Sequence, residues 1–292
     1  MAGIRNALHS TAAVELIVVD NASEDRLPAR VEHEFAEDAR LRLLRNERNL
    51  GFGTACNQAS RLAVGDMIMF LNPDCLIEDS TIAALREVAA AHPDAGLLGV
   101  HVVDSQGRGE RANRRRDPLL QRALATATGL SRLQQRFPNL AGVELPSALA
   151  MAPVEAVDAV SGACMMVSRR AFDAVGGFDE GYFLHCEDLD LCRRIRDAGF
   201  KVLHVASIRV VHAQGSSSRS RPAFVAFHKH RSMWRYFRKF DPAARNPVLR
   251  LMVWLGIWAH FSCMLPVYAW RRLRHRRGLV DEALHEPGTR QG

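Results

Sequence analysis

The chain has 292 residues, 48% hydrophobic and 24% charged, a balance that fits one large globular domain, with or without an appendage, and excludes a disordered chain. Six scattered cysteines (Cys56, Cys75, Cys164, Cys186, Cys192, Cys263) form no C-x-x-C pair, which argues against a disulfide framework or cysteine zinc site and for a reducing compartment. The net charge of +7 is uneven: residues 215–292 hold 15 Lys and Arg against 4 Asp and Glu, so a mildly acidic body carries a basic tail that seeks lipid or nucleic-acid phosphate.

Met1–His9 lacks the apolar core of a secretory signal. Glu15–Asp20 (ELIVVD) is a short β-branched run and predicts a buried parallel strand with Asp20 at its tip. Ser23 is placed to cap the helix that follows. Arg40–Arg45 reads as the next strand, Gly51–Ala63 as a helix opened by a glycine turn, and Asp66–Leu71 as a buried strand ended by Pro73. Asp79–Ala91 has helical periodicity, and Gly96–Val103 is a further strand. This alternation predicts an open, largely parallel α/β sheet, whose ligands sit at the C-terminal strand ends where Asp20 and Asp74 fall.

Asp104–Pro153 departs from the pattern. It is arginine-rich early (Arg108, Arg111, Arg114, Arg115, Arg116) and reads as a loop followed by a short helix, either a solvated basic loop or a cover for an acceptor site. Strands resume over Val154–Ser168, then a short helix (Arg169–Val175), an aromatic turn region (Gly176–Leu184), an amphipathic helix (Glu187–Gly199) and a strand pair over Lys201–His212.

Three features carry chemistry. Asp74 follows an apolar strand, with Asn72 two residues earlier, and a carboxylate sharing a shell with phosphate oxygens and one imidazole suits Mn or Mg. Alone, Asn-Pro-Asp is also an ordinary turn. Glu187, Asp188 and Asp190 open a helix, where the dipole favours acids in any case, yet the glycine and aromatic residues before them are suited to a pocket wall. His212 ends a β-branched strand just before Gly215–Ser218, as a structural histidine or as a ligand.

Taken in order, Val19-Asp20-Asn21-Ala22-Ser23, Asn49-Leu50-Gly51-Phe52-Gly53 with Asn57, Asn72-Pro73-Asp74, Gly176-Gly177-Phe178-Asp179-Glu180, Glu187-Asp188-Leu189-Asp190-Leu191 and His212 resemble the family 2 glycosyltransferases of the GT-A fold, particularly bacterial rhamnosyltransferase-like members. The resemblance spans roughly residues 4 to 240. It implies a metal-dependent inverting transfer from a nucleotide-sugar donor, rhamnose from a dTDP donor as the family-level choice, to a lipid-linked or cell-envelope glycan acceptor. It implies donor contacts from Asp20, Asn21, Asn49, Gly51, Asn57, Asn72 and Asp74, a metal held by Asp74 and His212, Asp188 as general base and Glu187 as a supporting acid. Asn72 stands where many members carry an acid, which leaves Asp74 as the surer metal contact.

Members of that family usually begin with an apolar strand. Met1–Thr11 resembles the tail of the helix that follows it. Either the recorded start is too late, the favoured expectation, or the chain is a degraded copy.

Residues 1–220 are therefore read as the catalytic domain and 221–292 as a membrane-associating tail. Leu251–Trp270 is mostly apolar and about 30 Å long if helical, followed by the basic run Arg271–Arg277. Spanning would place that run across the membrane from a cytoplasmic domain, so an in-plane or re-entrant helix on the cytoplasmic face of the inner membrane is preferred. Lys229, Arg231, Arg235, Arg238 and Lys239, interleaved with Trp234, Tyr236 and Phe237, suit an anionic headgroup layer, and a soluble helix with a basic face is the alternative. Nucleic acid is not expected as a partner, because the apolar run fits lipid better. A non-catalytic glycan- or nucleotide-binding relative is the competing class. A methyltransferase is disfavoured by the lack of a G-x-G-x-x-G turn.

Overall fold

The computed structural model describes residues 2–10, 13–23, 27–145, 152–212 and 221–285. The chain divides into two compact units, Met1–Gln214 and Gly215–Gly292.

The first unit runs α1 (Ala2–Ser10), β1 (Leu16–Asp20), α2 (Leu27–Glu34), β2 (Leu41–Arg45), α3 (Phe52–Leu62), β3 (Met67–Leu71), β4 (Cys75–Leu76), α4 (Thr81–Ala91) and β5 (Ala95–Val103). It continues with α5 (Leu120–Ala127), β6 (Val154–Ala156), β7 (Cys164–Ser168), α6 (Arg169–Ala174), α7 (Glu187–Asp197) and β8 (Lys201–His212). The main sheet has the order β3-β7-β5-β8-β4, with β6 also on β8. β5 and β8 lie at its centre because their apolar runs are buried along most of their length. Around them pack Leu85 from α4 and Leu191, Cys192 and Ile195 from α7, all fully buried. The apolar spacing read in α7 therefore does face the core.

The sheet is mixed, not largely parallel. β5 and β8 pair in parallel, but β7 lies antiparallel between β3 and β5, and β4 and β6 pair antiparallel to β8. Helix-strand alternation over the first hundred residues fixes crossovers; it carries no information about a later strand inserting between two earlier ones. The expected pair over Lys201–His212 is one strand. Its register against β5 jumps from Val100–Val205 to His101–Arg209, and this bulge looks like a break in the sequence pattern. The N-terminal end of α2, and with it the expected Ser23 cap, lies outside the described residues, which resume at Leu27; the Ser23 N–H donates to the Asp20 carboxylate at 2.9 Å.

β1 and β2 form a separate parallel pair. Among the described residues β1 has no partner but β2, and β3 none but β7, so each leaves one edge open. A cavity of about 610 Å³ separates them, lined by Leu16, Ile17 and Val19 of β1, Met67 and Met69 of β3, and Ala59 of α3.

The second unit is a helical hairpin, α8 (Pro222–Phe240) and α9 (Pro247–His285). Between them Asp241 caps a short 3-10 turn by accepting the Ala243 N–H at 2.8 Å. The helices run antiparallel: His230 meets His260 at 2.9 Å, and the Phe227 ring packs on Trp258 and Phe261. Pro247–Trp270 is long and apolar enough to cross a membrane, and none of that window is buried. The backbone of Arg271–Arg277 continues α9; apart from Leu273, its side chains, like Gly215–Ser218, lie outside the described residues.

Candidate active site

The chemistry-bearing residues of the first unit gather at one end of the main sheet, where β3 and β8 finish and β7 begins. Leu71 lies opposite Cys164, and Cys75 opposite His212. The β4–β8 ladder thereby sets His212 beside Asp74, with Nε2 3.0 Å from Oδ1. On the other side of the ring, Nδ1 lies 2.8 Å from the Glu110 carboxylate. Bonds to Asp74 and to Glu110 hold the imidazolium form, pushing the His212 pKa up to about 10. Cys75 joins this cluster, but its thiol donates to the Ala163 carbonyl at 3.3 Å, and burial pushes its pKa up to about 12. That leaves one carboxylate and one imidazole as donors, a set that fits a borderline-to-hard divalent cation better than a soft one.

The Gly162–Ala163 step links this corner to the carboxylates of α7. The Ala163 carbonyl accepts the Asn72 N–H at 2.9 Å, and the Gly162 N–H donates to Asp188 Oδ2 at 3.1 Å. Asp188 also receives its own helix's Leu189 N–H and the guanidinium of Arg115. Burial works against its charge, but Arg115 and the two N–H donors outweigh it and hold the pKa below the usual carboxylate range. Glu187 is pushed the other way, first by burial and then by the negative charge of Asp188. Among the described residues its buried Oε2 has no hydrogen-bond partner, which fits a neutral carboxyl.

Immediately before these acids, His185 and Cys186 both occupy the left-handed region, at φ 66° and 67°. Two consecutive non-glycine residues there are strained, and they aim the first turn of α7 at the rim. The same turn touches the Asn49–Gly53 segment. The Phe52 N–H donates to the Phe183 carbonyl at 3.2 Å, and Gly51 sits at φ 89° with a Cβ position only 2.6 Å from that oxygen, so glycine alone fits.

Asn21 organises the loop at the tip of β1. It accepts from the Leu50 N–H and Asn46 and donates to Asn49 and to the Gly51 carbonyl. Gln58 exchanges two amide bonds with Asn46. Asp20, Asn21, Asn49 and Gly51 are thus brought together. Asn57 is not among them. It is buried, and its amide is occupied by the Phe178 N–H and carbonyl and by Glu180, so it pins the Gly176–Glu180 turn instead of facing a ligand. The solvated-basic-loop alternative for Asp104–Pro153 also fails at two of its arginines. Arg114 is buried against Glu155, and Arg115 reaches Asp188 and the Val160 carbonyl.

The family model for glycosyl transferase family 2 matches residues 2–175. The chain belongs to glycosyl transferase family 2. It is 31% identical over 291 residues to N-acetylglucosaminyl-diphospho-decaprenol L-rhamnosyltransferase of Mycobacterium tuberculosis H37Rv, a match covering 96% of this chain and 92% of that one. Rhamnosyltransferase WbbL of Escherichia coli K12 is 34% identical over 93 residues, 32% of this chain and 33% of that one. Among solved structures, the mannosyltransferase PcManGT from Pyrobaculum calidifontis with GDP-Man and Mn2+ superposes with a TM-score of 0.53, at 17% identity, over 97% of this chain and 76% of that chain. Staphylococcus aureus TarS 1-349 with UDP gives 0.52 at 14% identity, over 88% and 67%. The glycosyltransferase is thus a GT-A protein by fold and a rhamnosyltransferase-like one by sequence.

Reading the motifs alone missed Glu110, Asn46 and Gln58, and gave Arg115 no role. None stands in a recognisable pattern: Glu110 lies 102 residues from His212, and Arg115 lies 73 from Asp188.

Proposed function

We propose that this glycosyltransferase moves a sugar, rhamnose from a dTDP donor, by inversion onto a lipid-linked or cell-envelope glycan acceptor at the cytoplasmic face of the inner membrane. The observation that carries the reading is the placing of the Asp74–His212 pair and the ionised Asp188 on one rim, joined through Gly162–Ala163. The mycobacterial relative is named for a decaprenyl diphosphate-linked sugar, which supports a polyprenyl-linked acceptor here.

Asp74 and His212 would hold Mn or Mg, as the Mn2+-containing mannosyltransferase of like fold supports. A divalent cation held there would offset the charge that develops on the leaving diphosphate. Asp20, Asn21, Asn49 and Gly51 form the donor side, with Asn72 beside the ribose. Asp188, charged and held by fixed donors, takes the acceptor's hydroxyl proton as that oxygen attacks the anomeric carbon from the face opposite the diphosphate. Neutral Glu187 supports the acceptor as a hydrogen-bond donor. Residues 1–220 carry this chemistry, and residues 221–292 attach to an anionic membrane surface.

The test is Asp188→Asn. Turnover is expected to fall about 10²–10⁴-fold with donor binding intact. Sugar transfer at the normal rate by that variant sinks the assignment. One observation favours a second reading, a non-catalytic binding relative: the open edges of β1 and β3 beside the donor loop. Donor hydrolysis or transfer by the purified chain separates the two.

A further inference from the structure

We infer that Glu110 is a positioning residue of this site, fixing the tautomer and ring orientation of His212 so that Nε2 is presented to the cation beside Asp74. The inference rests on the reading of Asp74 and His212 as the cation-holding pair.

Glu110 is mounted on a stiff support. Its N–H donates to the Val102 carbonyl at 2.9 Å, and its own carbonyl accepts the Asn113 N–H. The Asn113 side chain clamps both polar groups of Val102 at 2.7 Å, imitating a strand neighbour at the end of β5. Val103 bridges to Gly109, which closes the turn that delivers Glu110. The carboxylate so placed is itself mostly buried, at 14% exposed, and lies 2.8 Å from His212 Nδ1.

The two ring nitrogens point apart, so a group bonded to Nδ1 does not share a cation held at Nε2. Glu110 therefore stands behind the ring, not in the ligand set, and the potential ligand cluster is Asp74, Cys75 and His212 without it. A carboxylate in that place keeps the Nδ1 hydrogen, so that the Nε2 proton now shared with Asp74 is the one a cation would displace, and it raises the ring's basicity as a ligand. It also prevents the half-turn of the ring that would present a carbon edge to Asp74. The β4–β8 ladder fixes the backbone of His212, and Glu110 supplies the remaining constraint on its side chain.

The experiment titrates the full chain with Mn2+ alone, followed by electron paramagnetic resonance, and records the His212 ring nitrogens by NMR in the wild type, Glu110→Gln and Glu110→Ala. Glu110→Ala is expected to weaken Mn2+ binding about 10–100-fold and, in the metal-free chain recorded above about pH 10 where the ring is neutral, to replace a single Nδ1–H tautomer by a mixture. Glu110→Gln keeps an acceptor for that hydrogen, so it should fold as the wild type, retain the tautomer and lose only part of the affinity. Unchanged Mn2+ affinity in Glu110→Ala, or an unchanged tautomer, overturns the inference. His212→Ala is the control for the underlying reading: if it too binds Mn2+ normally, the cation site itself is misplaced, whereas its loss of binding beside a normal Glu110→Ala rejects Glu110 alone.

Discussion

Glu187 and Asp188 are adjacent in the chain, yet their surroundings drive their proton affinities apart. Asp188 faces Arg115 and two N–H donors, whereas Glu187 has a buried oxygen with no partner among the described residues and the charge of Asp188 beside it. Such separation of paired carboxyls is how one site comes to hold a base and a neutral acid together. It has a consequence for stability whose sign is fixed. Burial and Asp188 raise the Glu187 pKa in the folded chain above its ordinary 4.5, so over that interval the native state binds more protons than the unfolded one. Stability therefore falls as the pH rises from the ordinary carboxylate pKa through the raised one. Urea midpoints measured across neutral pH should show this decline, and Glu187→Gln should flatten it; an equal slope in the variant would mean that Glu187 is ionised in the native state. The acidic motif itself was legible in the sequence, because a run of acids after a glycine-aromatic turn is local. The guanidinium of Arg115 that holds Asp188 charged was not, since the two come together only after α7 and the 104–117 segment meet.

Secondary-structure elements were read well where hydrophobic runs were long and badly where pairing was remote. The buried runs that became β3 and β5 and the periodic helices α3, α4 and α7 were all visible as patterns. That β7 separates β3 from β5 depends on registers between residues about 70 to 100 positions apart, which no periodicity encodes. That order makes β3 an end strand, and among the described residues its free edge and that of β1 flank the cavity. This cleft is partly open to solvent, and the β1 side chains that line it are only half-buried. Ala59→Leu, which adds three apolar carbons into it, is expected to stabilise the chain by about 1–2 kcal/mol and to raise Tm by a few degrees. A calorimetric scan decides the matter. A lowered Tm would show that the walls cannot take the added carbons without strain.

The molecule as a whole couples a glycosyltransferase body to a basic helical hairpin. Composition alone exposed the charge asymmetry, but the pairing of α8 with α9 adds a constraint. Because Phe227 and His230 lie against Trp258, Phe261 and His260, Lys229, Arg231, Arg235, Arg238 and Lys239 run alongside the apolar length of α9. If α9 crossed a bilayer with this hairpin intact, those five cations would enter it too, each at a cost of about 2.5–3.5 kcal/mol near the midplane. An in-plane hairpin instead places cations among headgroups and the exposed Leu251, Met252, Trp254 and Leu255 among acyl chains. Flotation with vesicles should then require anionic lipid and be reversed largely by high salt, with the remainder released by detergent. Binding to neutral vesicles that resists salt would instead support insertion.

The close approach of Gly51 to the Phe183 carbonyl makes the two halves of the site one mechanical body. The loop expected to hold the donor and the turn that launches α7 press backbone against backbone, so a displacement of either is transmitted to the other. Under the proposed roles, the placement of Asp188 is then tied to how the Asn49–Gly53 loop is seated, through one position where a methyl group does not fit.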